Sequence, residues 1–399
     1  MNVLFMAPFP PLPESSGSRM RAMTVLHSLA GHNLFLVAFC GVEESMDPAA
    51  LRKIFAEVHV FSPPKIGLGR VFINHFSFKP LLAKRFFLKA VRKKIRQLVR
   101  ERHIDLVIAE TLLMAEYFRG LTGPRLILDE HNLEYIRAAR RIPTACNGFK
   151  KFYYYLIMQR LRYHELKVVN AVDICLTCSA EDAATIGRWC PDKRIMDVPN
   201  SIDTSYFQPV AGRQDPRRIV FTGTMWYEPN VDAMRFFCRK ILPVIRQKLA
   251  DVALIIVGDK PTAEVFDLGR ESGITVTGFV PDIRPFLAEA SVFVAPLRMG
   301  SGTRLKILGA MAMGVPVVST SIGAEGICVQ NGMNISIADT VPDFADSVLR
   351  ILCDPVWQKK LAAGGRKLVL EKYSSQIIDR QLHRLWREIG LNEEVPCGI

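Results

Sequence analysis

An α/β protein built from two doubly wound parallel sheets is the fold class this sequence predicts, and three observations carry the reading. Short apolar runs alternate with helical patterns, which is the signature of a parallel sheet wrapped by helices. The alternation stops at a Pro-, Gly-, Gln- and Asp-containing loop over residues 208–216 and then restarts. The chain has 399 residues, more than the ~100–200 that one domain usually holds. With 49% hydrophobic and 23% charged residues it has enough apolar surface for two cores, so a disordered chain or a coiled coil is excluded.

In the first half, strands are expected at residues 3–7, 34–39, 58–61, 106–109 and 126–128, with a further strand pattern over 171–178. In the second half they are expected at 218–221, 254–257, 275–276, 292–295, 315–319 and 335–337. Residues 341–390 read as helix, interrupted at Asp354-Pro355 and again at Gly364-Gly365, because Pro and paired Gly end helices. These assignments divide the chain into an N-terminal domain over 1–200, a C-terminal domain over 201–375, and a terminal helix over 376–399 expected to cross back onto the N-terminal domain.

Two loops that follow strands have the chemistry of anion sites. The first, residues 11–21, leads through Gly17 into a helix whose first amides, at Ser18–Met20, would favour an anion with help from Arg19 or Arg21. The second runs from the strand at 292–295 through Gly300-Ser-Gly-Thr-Arg-Leu-Lys306 into a helix. There Gly300 and Gly302 free backbone amides at a helix N-terminus, and Arg304 and Lys306 stand where cations are locally unfavourable unless an anion joins them. The plainer alternative for each is a strand-to-helix turn with solvated basic residues. Neither half carries G-x-G-x-x-G after its first strand, which argues against a dinucleotide-dependent oxidoreductase.

His131, in Asp129-Glu-His-Asn132, ends a strand at the sheet edge where α/β proteins bind ligands, although a strand-end histidine is as readily a structural hydrogen-bonding residue. Cys175 and Cys178 lie inside a strand pattern with no second pair at metal-binding spacing, so packing is expected rather than zinc or redox chemistry. No G-x-S-x-G elbow supports a serine nucleophile.

Lys+Arg outnumber Asp+Glu by 52 to 39, a net charge of +13. Such a balance suits an acidic ligand, a nucleic acid or an anionic membrane surface. Basic residues interleave with apolar and aromatic ones over 79–102 and 149–167. Helices of that kind can lie in a membrane interface, or can simply turn an apolar stripe to the core and a basic face to water. Nucleic acid is disfavoured because no binding motif accompanies the charge. No spanning helix and no cleaved leader are expected, and nine irregularly spaced cysteines read as reduced thiols, so the expected location is cytoplasmic, with peripheral attachment to the inner face of the cell membrane as the further expectation.

Taken in order, Gly17, His131, Val198-Pro-Asn-Ser-Ile-Asp203, Phe221-Thr-Gly-Thr224, Ile256-Val-Gly-Asp259, Val276-Thr-Gly-Phe-Val280 and Gly300-Ser-Gly-Thr-Arg-Leu-Lys-Ile-Leu308 resemble a family-four retaining glycosyltransferase of GT-B fold. The chain is similar in particular to bacterial sugar transferases of exopolysaccharide and exosortase systems. The resemblance implies two Rossmann-like domains facing a cleft, a nucleotide-sugar donor, a glycan or lipid-linked acceptor, no nucleic acid and no obligatory metal or other cofactor. It places Gly17 behind the donor phosphate and His131 against the transferred sugar. Gly223 begins the nucleotide-side loop, Phe279 and Val280 flank the base, and Arg304, Lys306 and the amides of Ser301, Gly302 and Thr303 hold the diphosphate.

One position departs from the pattern: Gly309 stands where the family carries the glutamate that grips the donor ribose, which leaves Glu325 as a candidate partner. Restoring a glutamate is expected to tighten nucleotide binding and to raise stability by removing a glycine from a helix interior. The alternatives to a transferase are a non-catalytic paralogue that binds a sugar nucleotide or a protein, and a nucleotide-sugar epimerase of the same architecture using carboxylates such as Asp129, Glu130 or Glu134.

Overall fold

In a computed structural model, residues 1–13, 16–41, 46–64, 86–139, 142, 147–210, 215–300 and 302–391 are described. Their strands form two parallel sheets. The first contains β1 (Asn2–Ala7), β2 (Asn33–Phe39), β3 (Glu57–Phe61), β4 (Leu106–Glu110), β5 (Arg125–Glu130), β6 (Ile174–Thr177) and β7 (Arg194–Asp197), in the order β3-β2-β1-β4-β5-β6-β7. The second contains β8 (Arg218–Thr222), β9 (Ala253–Val257), β10 (Ile274–Val276), β11 (Val292–Ala295), β12 (Val317–Ser319) and β13 (Ser336–Ile337), in the order β10-β9-β8-β11-β12-β13.

Each sheet reverses direction of growth once, at β1/β4 in the first and at β8/β11 in the second. Connections leave in opposite directions there, so a crevice opens at the carboxyl ends of those strands, and in doubly wound sheets that crevice holds the ligand. Both loops singled out from sequence follow a strand at such a point: Gly17 follows β1, and Gly300-Ser-Gly follows β11.

Central strands are buried on both faces, as parallel strands under helices must be. Val3, Leu4, Phe5, Met6 and Ala7 are fully buried, as are Val292, Phe293, Val294 and Ala295. β7, a short and half-buried edge strand, carries too little apolar pattern to be seen in sequence. β5 extends past the expected 126–128 because two buried carboxylates, Asp129 and Glu130, finish it.

By contact, Met1–Pro199 with Asp379–Ile399 form one unit and Asn200–Ile378 the other. Trp386 on the terminal helix is fully buried in the first unit, its Nε1 donating to Ser28 Oγ at 2.9 Å. Gln381 donates to the Asp197 carbonyl and Arg194 pairs with Glu388.

The expected break at Gly364-Gly365 is corrected by an unbroken helix from Pro355 to Lys372. These glycines serve close packing instead of termination. A Cβ on Gly364 would stand 2.1 Å from the Met333 carbonyl oxygen, and one on Gly365 3.1 Å from that of Asn334. The helix ends only at Tyr373-Ser374, where Ser374 pairs with Ile202.

Candidate functional site

In the N-terminal unit the carboxyl ends of β4 and β5 deliver Glu110, Asp129 and His131 to one place, and the helix Gly17–His27 brings Arg21 to meet them. Arg21 and Asp129 are both buried. Arg21 Nε donates to Asp129 Oδ1 at 2.9 Å and Nη2 to the same oxygen at 2.5 Å, while Nη1 reaches the Val198 carbonyl at 2.7 Å. Arg21 is therefore committed to a buried pair, which corrects the expectation that it could assist an anion beside Gly17. Arg19 remains near that loop, donating to the Pro13 carbonyl at 3.2 Å, with Gly17 exposed in the first turn of the helix.

His131 Nε2 lies 3.5 Å from Asp129 Oδ2 and 3.6 Å from Glu110 Oε1. The two carboxyls differ sharply. Burial pushes Asp129 up, but Arg21 and then the nearby His131 outweigh it and leave Asp129 at about 2. Burial and the Asp129 charge push Glu110 well above the usual carboxyl range, against weaker attraction from Arg21 and Arg19. A carboxyl whose protonated form is favoured and one whose ionised form is favoured thus face one imidazole nitrogen. Thr111, directly after Glu110, takes a left-handed φ of 64°, a costly conformation for a β-branched residue and one concentrated at functional sites.

Behind this group Glu165 accepts from the amides of Glu134 at 2.9 Å and Tyr135 at 3.3 Å, satisfying orphan donors at the start of the helix Glu134–Ala139. Burial raises Glu165 to about 8 against those two hydrogen bonds, and burial with the Glu165 charge raises its neighbour Glu130 well above the usual carboxyl range. Glu130 and Glu165 are thus interior groups. Cys175 and Cys178 are buried, and burial pushes the Cys178 thiol up to about 12, as packing residues require.

In the C-terminal unit the cradle is built from three segments. The loop after β11 turns through Gly300 and Gly302, with φ of 113° and 80°, conformations that glycine adopts without strain. Arg304 folds back so that Nη1 donates to the Gly302 carbonyl at 2.8 Å. Lys306, in the first turn of the helix Leu305–Ala312, lays its ammonium 4.2 Å from the centre of the Phe221 ring and donates to Asn230 Oδ1 at 2.7 Å. The amide of Asn230 in turn donates to the Thr224 carbonyl at 2.9 Å, tying the loop after β8 to the same lysine. A Cβ on Gly223 would stand 2.5 Å from Lys306 Nζ and 2.8 Å from Asn230 Nδ2, so any side chain there would displace both.

Burial, and then the Arg304 charge, pull Lys306 well below the ordinary lysine range. The attraction of a bound anion would oppose both effects. The cradle thus gathers Gly223, Gly302, Thr303, Arg304 and Lys306, while Ser301 lies outside the described residues. Gly326, next to Glu325, sets its carbonyl 3.5 Å from Thr303 Oγ1, so the Glu325 segment borders the cradle. Phe279, exposed, and Val280 follow β10, two strands from β8.

Gly309 is buried, and a Cβ there would lie 3.6 Å from the Phe207 ring. A Cβ fits there at ordinary contact distance, but a longer side chain at 309 would have to find room beside that aromatic ring. Asn230, Glu110 and Phe207 were not identified from sequence; a polar Asn directly after Glu-Pro at a helix start was the one available signal for Asn230.

A family model described as Glycosyltransferase Family 4 matches residues 49–206, and one described as Glycosyl transferases group 1 matches residues 216–354. The chain belongs to the family-four glycosyltransferases. It is a glycosyltransferase of GT-B fold. It is 23% identical to an uncharacterized 44.6 kDa protein in the cps region of Klebsiella pneumoniae, over 92% of this chain and 95% of that one. It is 30% identical to a GDP-mannose-dependent alpha-(1-6)-phosphatidylinositol monomannoside mannosyltransferase of Mycobacterium tuberculosis over 44% of this chain and 51% of that one.

Among solved structures, sucrose-phosphate synthase of Thermosynechococcus elongatus shares the glycosyltransferase's fold with a TM-score of 0.73 at 15% identity, over 98% of this chain and 99% of that chain. Anabaena HepE, solved with UDP-glucose, does so with a TM-score of 0.65 at 14% identity, over 97% of this chain and 100% of that chain. Among the described residues no helix is long and apolar enough to cross a membrane.

Proposed function

We propose that this glycosyltransferase moves a sugar from a nucleotide-diphosphate donor to a hydroxyl of a glycan or lipid-linked acceptor with retention of anomeric configuration. The observation that carries the donor is Lys306, half-buried, its ammonium over the Phe221 ring and bonded to Asn230 Oδ1, close to Arg304 at the glycine loop that follows β11. Two like charges held side by side repel each other, and a diphosphate would attract both. As the glycosidic bond breaks, charge gathers on the leaving diphosphate, and fixed cations and amide dipoles stabilise it where it develops. With two cations in that role the scheme calls on no metal and no other cofactor.

In this reading Gly302 and Thr303 supply amides together with Ser301, Gly223 gives the diphosphate room, Phe279 and Val280 flank the base, and Glu325 takes the ribose. Gly17 backs the donor phosphate from the N-terminal unit, where His131, held by Asp129 and Glu110, faces the transferred sugar. Retention and the roles of these residues are supported by the family resemblance, and a nucleotide sugar also by a solved neighbour that holds UDP-glucose.

Incubating the enzyme with a panel of nucleotide sugars, following donor consumption by mass spectrometry, and assigning the anomeric proton coupling of the product by NMR tests the reading. Retained configuration with one preferred nucleotide sugar is expected. Consumption of no nucleotide sugar by folded protein, or an inverted product, would overturn it.

A further inference from the structure

The two basic, aromatic tracts differ in what they leave on the surface. In the helix Lys89–Glu101 the apolar stripe of Val91, Ile95 and Leu98 is buried in the core and only the basic face meets water; residues 79–85 of that tract lie outside the described residues. The helix Gly148–Ala171 is apolar on two faces. Leu161 and Val169 point into the core with His164 and Glu165. On the other side Phe149 is 81% exposed, Phe152 60%, Tyr163 69% and Leu156 37%.

At 100° per residue those four positions fall within about 60° of one another on the helix, so they form one stripe. Tyr155 extends it, and so does Trp189, 53% exposed with Arg162 set over its ring at 4.8 Å. Exposed cations accompany the stripe: Lys167 falls in line with it, Lys150 and Lys151 stand in the exposed first turn next to Phe149 and Phe152 though turned about 130° from its centre, and Arg188 adjoins Trp189 in sequence. The helix has one acid, Glu165, and that is buried on the core side.

Large exposed aromatics in a row mark an interaction surface rather than scattered surface apolars. We propose that the outer stripe of this helix docks the enzyme on an anionic lipid bilayer, its aromatics entering the headgroup boundary and its lysines facing the phosphates. Charge complementarity selects that occupant. Aromatic side chains with a polar edge suit the interface of water and acyl chains, and the accompanying cations draw them to anionic lipid, whereas a second copy of the same face would set lysine against lysine. The inference stands independently of the donor and of the stereochemistry of transfer.

The test is sedimentation of the full chain with vesicles of phosphatidylglycerol and, separately, of phosphatidylcholine, across a salt series. Binding to the anionic vesicles that falls as salt rises is expected. The pair Phe149→Ser with Phe152→Ser, both too exposed to hold the fold, should weaken partitioning about tenfold or more, and so should Lys150→Glu with Lys151→Glu. Lys93→Glu with Arg100→Glu, the same charge change on the other basic helix, should weaken it distinctly less, and circular dichroism should show every variant folded.

Equal binding to both lipids, binding to neither, an undiminished Phe149→Ser/Phe152→Ser variant, or an equal loss from the Lys93→Glu/Arg100→Glu control would overturn the proposal. So would a dimer in size-exclusion chromatography that the serine pair dissolves without changing vesicle binding, since the stripe would then be a self-association face.

Discussion

The ring of Phe207 lies over the backbone of Gly309, with its edge 3.6 Å from where a Cβ at 309 would stand. Phe207 is positioned by a turn in which Asp203 Oδ1 accepts from Ser205 N at 2.8 Å and Tyr206 N at 3.1 Å. Arg284 fixes the next residue back, its guanidinium 3.7 Å from the Tyr206 ring centre and its Nη1 donating to the Tyr206 carbonyl at 3.2 Å. The position where the resemblance implies a glutamate is thus covered by an aromatic residue.

Two substitutions at 309 should therefore diverge. Gly309→Ala adds a methyl at ordinary contact distance and removes a helix-interior glycine, so stability should rise by up to ~1 kcal/mol. Gly309→Glu drives a carboxylate against a buried ring and should lower stability by about 1–3 kcal/mol. Urea unfolding of both variants checks this, and a glutamate variant as stable as the alanine one would show that Phe207 yields.

Donor affinity should depend on Lys306, Arg304 and Asn230 in different ways. Lys306→Ala or Arg304→Ala removes a charge-assisted hydrogen bond and should raise the donor Kd about tenfold or more. Asn230→Asp keeps the shape but sets a carboxylate beside Lys306, and it should weaken a nucleoside diphosphate more than the matching nucleoside. The free Lys306 is held below the ordinary lysine range by burial and by Arg304, and a bound diphosphate would raise it. Binding should then take up a proton, and affinity should fall as pH rises through the free lysine's transition. Calorimetry in buffers of different ionisation enthalpy measures that uptake directly; none, at any pH, would separate Lys306 from the diphosphate.

What could be read from sequence was local in the chain. Gly300, Gly302, Arg304 and Lys306 lie within seven residues, so their shared loop and helix start were visible as a pattern, and so were the strands, because each buried run is continuous. Asn230 was invisible as a partner, standing 76 residues before Lys306. Arg21 read as an anion ligand because nothing local reveals Asp129, 108 residues on. The same holds for Gly364-Gly365, where a pair that breaks helices in isolation is retained for contact with residues 333 and 334.

Breaking the Arg21–Asp129 pair from one side should cost more than removing both members. Asp129→Asn leaves a buried guanidinium short of its counter-charge and should destabilise by about 3–5 kcal/mol, whereas Arg21→Met with Asp129→Leu should cost less than that single change. A double-mutant cycle by chemical denaturation gives the comparison, and a double variant worse than Asp129→Asn would mean that packing, not charge, governs the pair.

Glu110 sets the alkaline side of stability. Its folded-state carboxyl is raised well above the usual value by burial and by Asp129, while in the unfolded chain it returns to about 4.3. A raised group contributes stability that is fully present below the unfolded value and is lost as pH rises through the folded one, because between the two values the folded state holds a proton that the unfolded state has released. Glu110→Gln, which keeps the shape and cannot ionise, should flatten the decline in Tm on the alkaline side without altering the acid limb, which Asp129 at about 2 governs as pH falls below its unfolded range. If His131 needs a proton donor at Glu110, the Gln variant, whose amide also donates, should retain most of its kcat, while Glu110→Ala should lose it with KM for the donor little changed. A Tm profile for Glu110→Gln that declines like the wild type would place the alkaline transition on another group, with Glu130 and Glu165 as the next candidates.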